Sequence, residues 1–387
     1  MTGEHLATRL VKGTAETVEG SPLTAPIYSS TTFVFDSAED VRRYQEGKSR
    51  KYLYSRYENP TVVEVEARLA ALDAAETGLL FASGMAATAT TVMALLKAGD
   101  EVVCSAAVYG GTVHLLKDLL SKFSVVPRFA TLDELKDPAQ LMGSRTRVVW
   151  FESPINPTLR CVDVKAIADA CSRANVLCVM DNTFATPVNQ QPLSLGVNLV
   201  MQSVTKYLNG HSDVVGGAVT GSRGLVDRIS KTRRLLGTVM DPTAAYALGR
   251  GLKTLLVRME RHNASAMAVA RALEHDGRVA RVYYPGLESH PDHTLAKTQM
   301  NGFSGMLTLD LQTSERATRM FDRLRTIRRA ASLGGVESIV SLPVLTSHWG
   351  HSEQDLAAAG ISPGLVRISI GLEDVGDLIE DVKQALD

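Results

Sequence analysis

Neither sign of charge prevails in the 387-residue chain. Forty-one lysine and arginine side chains face 42 aspartates and glutamates, for a net charge of −1. No field of one sign is present to attract nucleic acid or an anionic membrane, so small polar metabolites fit better as partners. Cysteine is scarce: Cys104, Cys161, Cys171 and Cys178 form no C-x-x-C pair. The opening MTGEHLATRLVKG has no apolar stretch of the kind a signal peptide needs. Reduced thiols and a cytoplasmic location are expected. A long hydrophobic run is missing too. Residues 77–96 carry no charge, yet they contain Gly78, Ser83, Gly84 and several threonines, which suits a strand, a tight turn and a helix better than a membrane span. His290 with His293 and His348 with His351 have H-x-x-H spacing, but no carboxylate or thiol set accompanies them. Loop histidines are expected there, and no metal.

What is present is ordinary soluble composition, 45% hydrophobic and 21% charged, enough for a large core divided among at least two domains. Residues 176–211 organise the rest. VLCVMDNT sets Asp181 directly after five apolar residues, the pattern of a strand buried on both faces of a parallel sheet. The carboxyl ends of such strands are where open α/β sheets bind ligands. NLVMQSVTKYLNGH repeats the design and runs into Ser203, Thr205 and Lys206. Taken singly, Asp181 reads as a cap and Lys206 as a solvated amine. Together they suit pyridoxal phosphate, whose aldehyde needs an amine, whose ring nitrogen needs a carboxylate, and whose phosphate needs hydroxyl and N–H donors.

Other segments agree about the ligand. A short helix is expected from Ser37, within an arm of residues 1 to about 55 that otherwise lacks period. YLYSRYENPT places Tyr54 and Arg56 on one side of an extended segment. Pro60 opens a packing helix. GLLFASGMAATATTVMALLKAG reads strand, turn and helix, ending at Gly99, with Ser83, Gly84 and Met85 at a helix N-terminus that favours a phosphate. Tyr109 precedes two glycines, where its ring can stack on a pyridine and its phenol can exchange protons. Alternation of strand and helix over about 75–220 predicts one mostly parallel sheet covered on both faces. A long helix is expected over 240–275, then a smaller α+β unit. Arg367 lies in its last strand, where a cation needs an anion: either a salt bridge to Glu373 or Asp374, or a ligand carboxylate.

YSRYENPT, SGMAA, YGGT, ESPINPT, DNTFATP, SVTKYLNGHSDVVGG, SLGGVES and VRISIGLED follow one another along nearly the whole chain. In order and approximate spacing they resemble the Cys/Met-metabolism family of pyridoxal phosphate enzymes, the trans-sulfuration enzymes. The resemblance implies an α/β protein of fold type I with an arm (1–55), a large cofactor-binding domain (56–245), and a bridging helix with a C-terminal α+β domain (246–387). It implies a homotetramer built from dimers, with Tyr54 and Arg56 reaching a neighbour's cofactor phosphate. It assigns Asn156 to the ring oxygen, Tyr54 and Asn156 also to substrate, and Arg367 with Ser338 to the substrate α-carboxylate. Lys206 and Tyr109 are the expected catalytic groups.

Substrate is the less settled matter. Relatives that handle cystathionine often carry an arginine where His114 stands, and charge where Leu53 and Tyr57 stand; methionine-cleaving relatives tend to have cysteine at the place of Gly111. Glu337 does match the cystathionine enzymes, through a distal ammonium. A carbon–sulfur γ-lyase is expected, with γ-replacement as the alternative and an aminotransferase or a non-catalytic relative as readings from other classes.

Overall fold

In the computed structural model, residues 5–12, 22–347, 349–350, 356 and 360–387 are described, and His348 and His351 lie outside them. Apolar runs become seven strands: β1 (Thr77–Phe81), β2 (Glu101–Ser105), β3 (Val126–Ala130), β4 (Thr146–Glu152), β5 (Leu177–Asp181), β6 (Leu199–Gln202) and β7 (Gly217–Gly221). Their order in the sheet is β1-β7-β6-β5-β4-β2-β3. The five strands β3, β2, β4, β5 and β6 run parallel; β7 runs against them, and β1 beyond it, antiparallel to β7, returns to their direction. The β4–β5 register sets Glu152 directly beside Asp181.

The chain-order helices are α1 (Leu6–Lys12), α2 (Ala38–Gln45), α3 (Pro60–Leu72), α4 (Gly84–Leu95), α5 (Gly110–His114), α6 (Val164–Ala174), α7 (Thr186–Asn189) and α8 (Arg223–Leu236). After them come α9 (Pro242–Leu252), α10 (Leu255–Glu274), α11 (His293–Gln299), α12 (Ser314–Arg323) and α13 (Val375–Ala385). On one face α4 and α8 press Val92, Leu95, Val226 and Ile229 onto Phe81, Val102 and Val219. On the other, α6 sets Ile167 and Cys171 against Phe151 and Met180, while α3, α9 and α10 gather around Leu80 and Ala218. Cover on both sides is why the strands read as unbroken apolar runs.

The second sheet contains β8 (Arg281–Tyr283), β9 (Met306–Asp310), β10 (Arg328–Arg329), β11 (Ile339–Ser341) and β12 (Leu365–Ser369), in the order β10-β11-β12-β9-β8. Its core joins α10, α12 and α13 through Leu273, Met320, Leu378 and Val382.

Capping confirms several expected boundaries. Ser37 Oγ accepts the Asp40 N–H at 3.1 Å, Pro60 follows the N-cap Asn59, and Asp163 accepts the Ala166 N–H at 2.9 Å. Three expectations need correction. The arm contains the helix α1, which buries Leu10 against α3. α4 stops at Leu95, short of Gly99, because Leu96 turns to extended backbone (φ −113°, ψ 152°). The 240–275 pattern is two helices. Gly251 at the break lies so close to Asn209 that a methyl there would sit 2.5 Å from the Asn209 carbonyl oxygen, and Arg258 Nη2 donates to the Gly251 carbonyl at 2.9 Å. Packing against the 203–210 turn thus interrupts a continuous amphipathic period.

Candidate active site

Lys206 follows β6 inside a run of turns, and its Nζ donates to Ser332 Oγ at 2.7 Å. Ser332 has a φ of +99°, a conformation that costs a residue with a Cβ about 1–3 kcal/mol and that persists where the surroundings enforce it. Here they do. The Ser332 carbonyl accepts from Arg367 Nη2 at 2.9 Å, and Arg367 Nη1 donates to Asn156 Oδ1 at 2.9 Å. A continuous chain of contacts, Lys206–Ser332–Arg367–Asn156, therefore joins the strand ends of the large sheet to β12 of the small one.

Among the described residues, no acid contacts the charged groups of this series. Arg367 is only 8% exposed, and its contacts are to neutral oxygens. The alternative of a salt bridge to Glu373 or Asp374 fails: Glu373 accepts from Ser338, and Asp374 caps α13. Burial brings the Arg367 guanidinium down to about 10. Lys206 is brought down to about 8 by burial and then by Arg367, with Asp181 opposing. Burial raises the Asp181 carboxyl above its usual range, against the Thr183 N–H at 3.0 Å and the pull of Lys206. Glu152 beside it is pushed up to about 8 by burial and by Asp181. A desolvated cation without an acid, and a desolvated acid without a cation in contact, are both suited to groups brought by a ligand.

An anion cradle adjoins them. Ser83 caps α4 by accepting the Ala86 N–H at 3.0 Å, so the first-turn N–H groups of Gly84 and Met85 have no partner within the helix. A Cβ on Gly84 would lie 3.1 Å from Ser203 Oγ, which places that hydroxyl against the helix start. Gly217 of β7 lets the turn in: a methyl there would meet the Ser83 carbonyl oxygen at 2.4 Å. Tyr109, about half exposed, lies over Gly111, where a Cβ would be 2.5 Å from the Tyr109 ring and 2.9 Å from Met85 Sδ. The cradle, the acid, the amine and the tyrosine thus meet at one edge of the sheet, and the donors fit a phosphate-bearing pyridine aldehyde.

Other expected site residues are placed differently. Thr205 Oγ1 donates to the Gly216 carbonyl at 3.2 Å and accepts the Gly216 N–H at 3.0 Å, so it also ties the Lys206 turn to β7. Ser338 is buried, and its hydroxyl donates to Glu373 at 2.7 Å while accepting the Gly371 N–H at 2.7 Å. The serine in contact with both Lys206 and Arg367 is Ser332, which sequence reasoning missed. Its signal was faint: a serine in a left-handed turn just ahead of L-G-G has no period to mark it. Glu337 accepts from Ser212 Oγ at 3.3 Å. Tyr54 is exposed, and Arg56 stacks on Tyr57 at 4.8 Å and donates to the Arg234 carbonyl; the contacts found for these two, among the described residues, do not reach the Lys206 cluster. His114 is exposed and pairs with Asp118 at 2.8 Å. No cluster of metal-ligating side chains occurs among the described residues, and no helix among them is long and apolar enough to cross a membrane.

A lysine and an acid at the strand ends of a parallel sheet, facing a buried guanidinium from a second sheet, define a class of α/β enzyme that works on amino acids through a carbonyl cofactor. The chain belongs to the Cys/Met metabolism PLP-dependent enzyme family, whose profile matches residues 7–387. It is 40% identical over 384 residues to the L-methionine gamma-lyase of Fusobacterium nucleatum subsp. nucleatum, covering 98% of this chain and 97% of that one. It is 42% identical over 388 residues to the cystathionine gamma-lyase of Rattus norvegicus, with 99% and 95% covered. A crystal structure of metB from Corynebacterium glutamicum superposes with a TM-score of 0.92 at 37% identity, over 99% of this chain and 98% of that one. The architecture is fold type I with an additional sheet unit, and the cofactor of the family is pyridoxal phosphate.

Proposed function

We propose that the protein is a carbon–sulfur γ-lyase that converts a sulfur amino acid of the methionine, homocysteine or cystathionine type into 2-oxobutanoate, ammonia and a thiol. The observation that carries this reading is Arg367, a buried cation with no acid partner among the described residues, joined to Lys206 through the single residue Ser332. An α-carboxylate supplies the missing charge with two-pronged geometry. Similarity at about 40% identity to lyases that cleave methionine or cystathionine supports the γ position of the cut.

Lys206 would carry the cofactor, Asp181 would hold the proton at its ring nitrogen, and Ser83, Gly84, Met85, Ser203 and Thr205 would receive its phosphate. When bound, pyridoxal phosphate supplies an aldehyde for the substrate amino group and an electron sink for the bond broken at Cα. The protein supplies the proton traffic. A Lys206 amine drawn down to about 8 is partly neutral near neutral pH, so it can take the Cα proton and, once it has given that proton up, one from Cβ. Tyr109 would give a proton to the departing sulfur. Asn156 and Ser332 hold Arg367 in line for the carboxylate.

His114 supports a preference for uncharged leaving groups. It is not an arginine, and its ring is already paired with Asp118 at 2.8 Å, so a distal carboxylate reaching it would compete with that acid. Loss of a charge-assisted contact costs about 1.5–3 kcal/mol, or about ten- to a hundredfold in selectivity. We further infer a cytoplasmic homotetramer built from two dimers and a division at about residues 55 and 245; exposed Leu23, Val34 and Leu235 support an assembly.

The test is turnover of methionine, homocysteine, O-acetylhomoserine, cystathionine and O-succinylhomoserine, with and without an added thiol. Equal amounts of 2-oxobutanoate and ammonia are expected, with the uncharged leaving groups competing well. Thioether as the sole product identifies a γ-replacement enzyme, and keto acid without ammonia an aminotransferase; either overturns the lyase. A preference beyond about a hundredfold for cystathionine or the succinyl ester overturns the His114 argument.

A further inference from the structure

Glu152 is a buried acid, 6% exposed, to which the catalytic scheme above gives no task. Both of its oxygens are used. Oε2 accepts the Tyr109 N–H at 2.9 Å, and Oε1 accepts the Asn156 N–H at 3.0 Å. These two amides belong to different loops, one leaving β2 and one leaving β4. Tyr109 N–H stands at the start of α5, two residues before Gly111, over which its ring lies, and Asn156 is the residue whose side chain receives Arg367. The β4–β5 register then sets the same carboxyl beside Asp181.

We propose that Glu152 is a positioning residue, a two-armed bridge that fixes the proton-donating Tyr109 and the carboxylate-binding Asn156–Arg367 pair at a set separation beside Asp181. Only a group with two acceptor oxygens on one planar head can do this. Glutamine keeps one acceptor and presents an N–H to the other amide; alanine keeps neither. A buried amide without an acceptor is costly, so the loop that loses its partner shifts to find another. Glu152 touches no reacting atom in this scheme.

The kinetic consequence rests on the lyase reading, whereas amide exchange does not, and the two fail separately. In the unmodified, cofactor-loaded protein, the Tyr109 and Asn156 amides are both expected to be strongly protected from deuterium exchange. An unprotected-loop rate at either one overturns the bridge, whatever the variants do. With Glu152→Gln, one of the two amides loses protection and turnover falls about tenfold. With Glu152→Ala both lose it, kcat falls further, and KM rises because Arg367 loses its fixed partner, while cofactor content stays at one per subunit. Partial recovery in the glutamine variant relative to alanine is part of the expectation. If kcat falls in proportion to lost cofactor with KM unchanged, Glu152 is only a structural acid and the proposal fails. Protection retained in both variants overturns it equally.

Discussion

At Lys206 two neighbours pull against each other. Arg367 and burial favour the neutral amine, Asp181 favours the ammonium, and the balance falls at about 8. In the cofactor-free protein, the rate of acetylation at Lys206 should therefore rise through a midpoint near 8, and Arg367→Ala should move that midpoint upward. A midpoint near the ordinary lysine value of 10.5, unchanged by the substitution, contradicts the electrostatic picture. Lys206, Asp181 and Arg367 were legible in the sequence because each interrupts or ends an apolar run, where an ionisable group has no cheap structural reason to be. Ser332 was not, since its role comes from a left-handed φ and from contacts 126 and 35 residues away along the chain. The resemblance points instead to Ser338, whose hydroxyl is engaged by Glu373 and the Gly371 N–H.

At the scale of elements, close approach and buried polar ties hold the cradle. Gly217→Ala would push the Ser83–Gly84 turn away from β7, an overpacking that costs about 1–3 kcal/mol. Cofactor affinity is expected to fall about ten- to a hundredfold, read by fluorescence titration of the apoprotein; unchanged affinity would mean that the turn does not hold the phosphate. Beneath this edge, Asp73 at the end of α3 accepts from Gln202 of β6 at 2.9 Å and Thr220 of β7 at 2.7 Å, with its other oxygen buried and unpartnered. Burial pushes this carboxyl up to about 7, against the pull of Thr220 and Gln202. A folded-state value raised above the ordinary 3.8 stabilises the fold at low pH, and that contribution is lost as pH rises through about 7. Asp73→Asn should flatten the decline in melting temperature between about pH 4 and 7; curves parallel to the unmodified protein would place the titration elsewhere. Sequence period supplied the strands, the caps and most helices, since burial on two faces and N-cap chemistry are local. The split between α9 and α10 was hidden because it arises from packing on Asn209, far away in the chain.

Across the whole molecule, the site exists only because two sheets meet: Lys206 and Asn156 come from the first, Ser332 and Arg367 from the second. Arg56 contacts Tyr57 and the Arg234 carbonyl, and the proposed assembly gives it and Tyr54 a task in a neighbour's site. Mixing inactive Arg56→Ala subunits with inactive Lys206→Ala subunits should then restore part of the activity in mixed oligomers. Mixed oligomers with none restored would leave each site within its own subunit. Lys206 as the residue that bears the cofactor is the point on which the rest depends. Borohydride reduction of the cofactor-loaded protein, followed by peptide mass mapping over the full chain, addresses it directly. The pyridoxyl mass is expected on the peptide containing Lys206, with the label absent from Lys206→Ala; label on a different lysine, or on none, would contradict it.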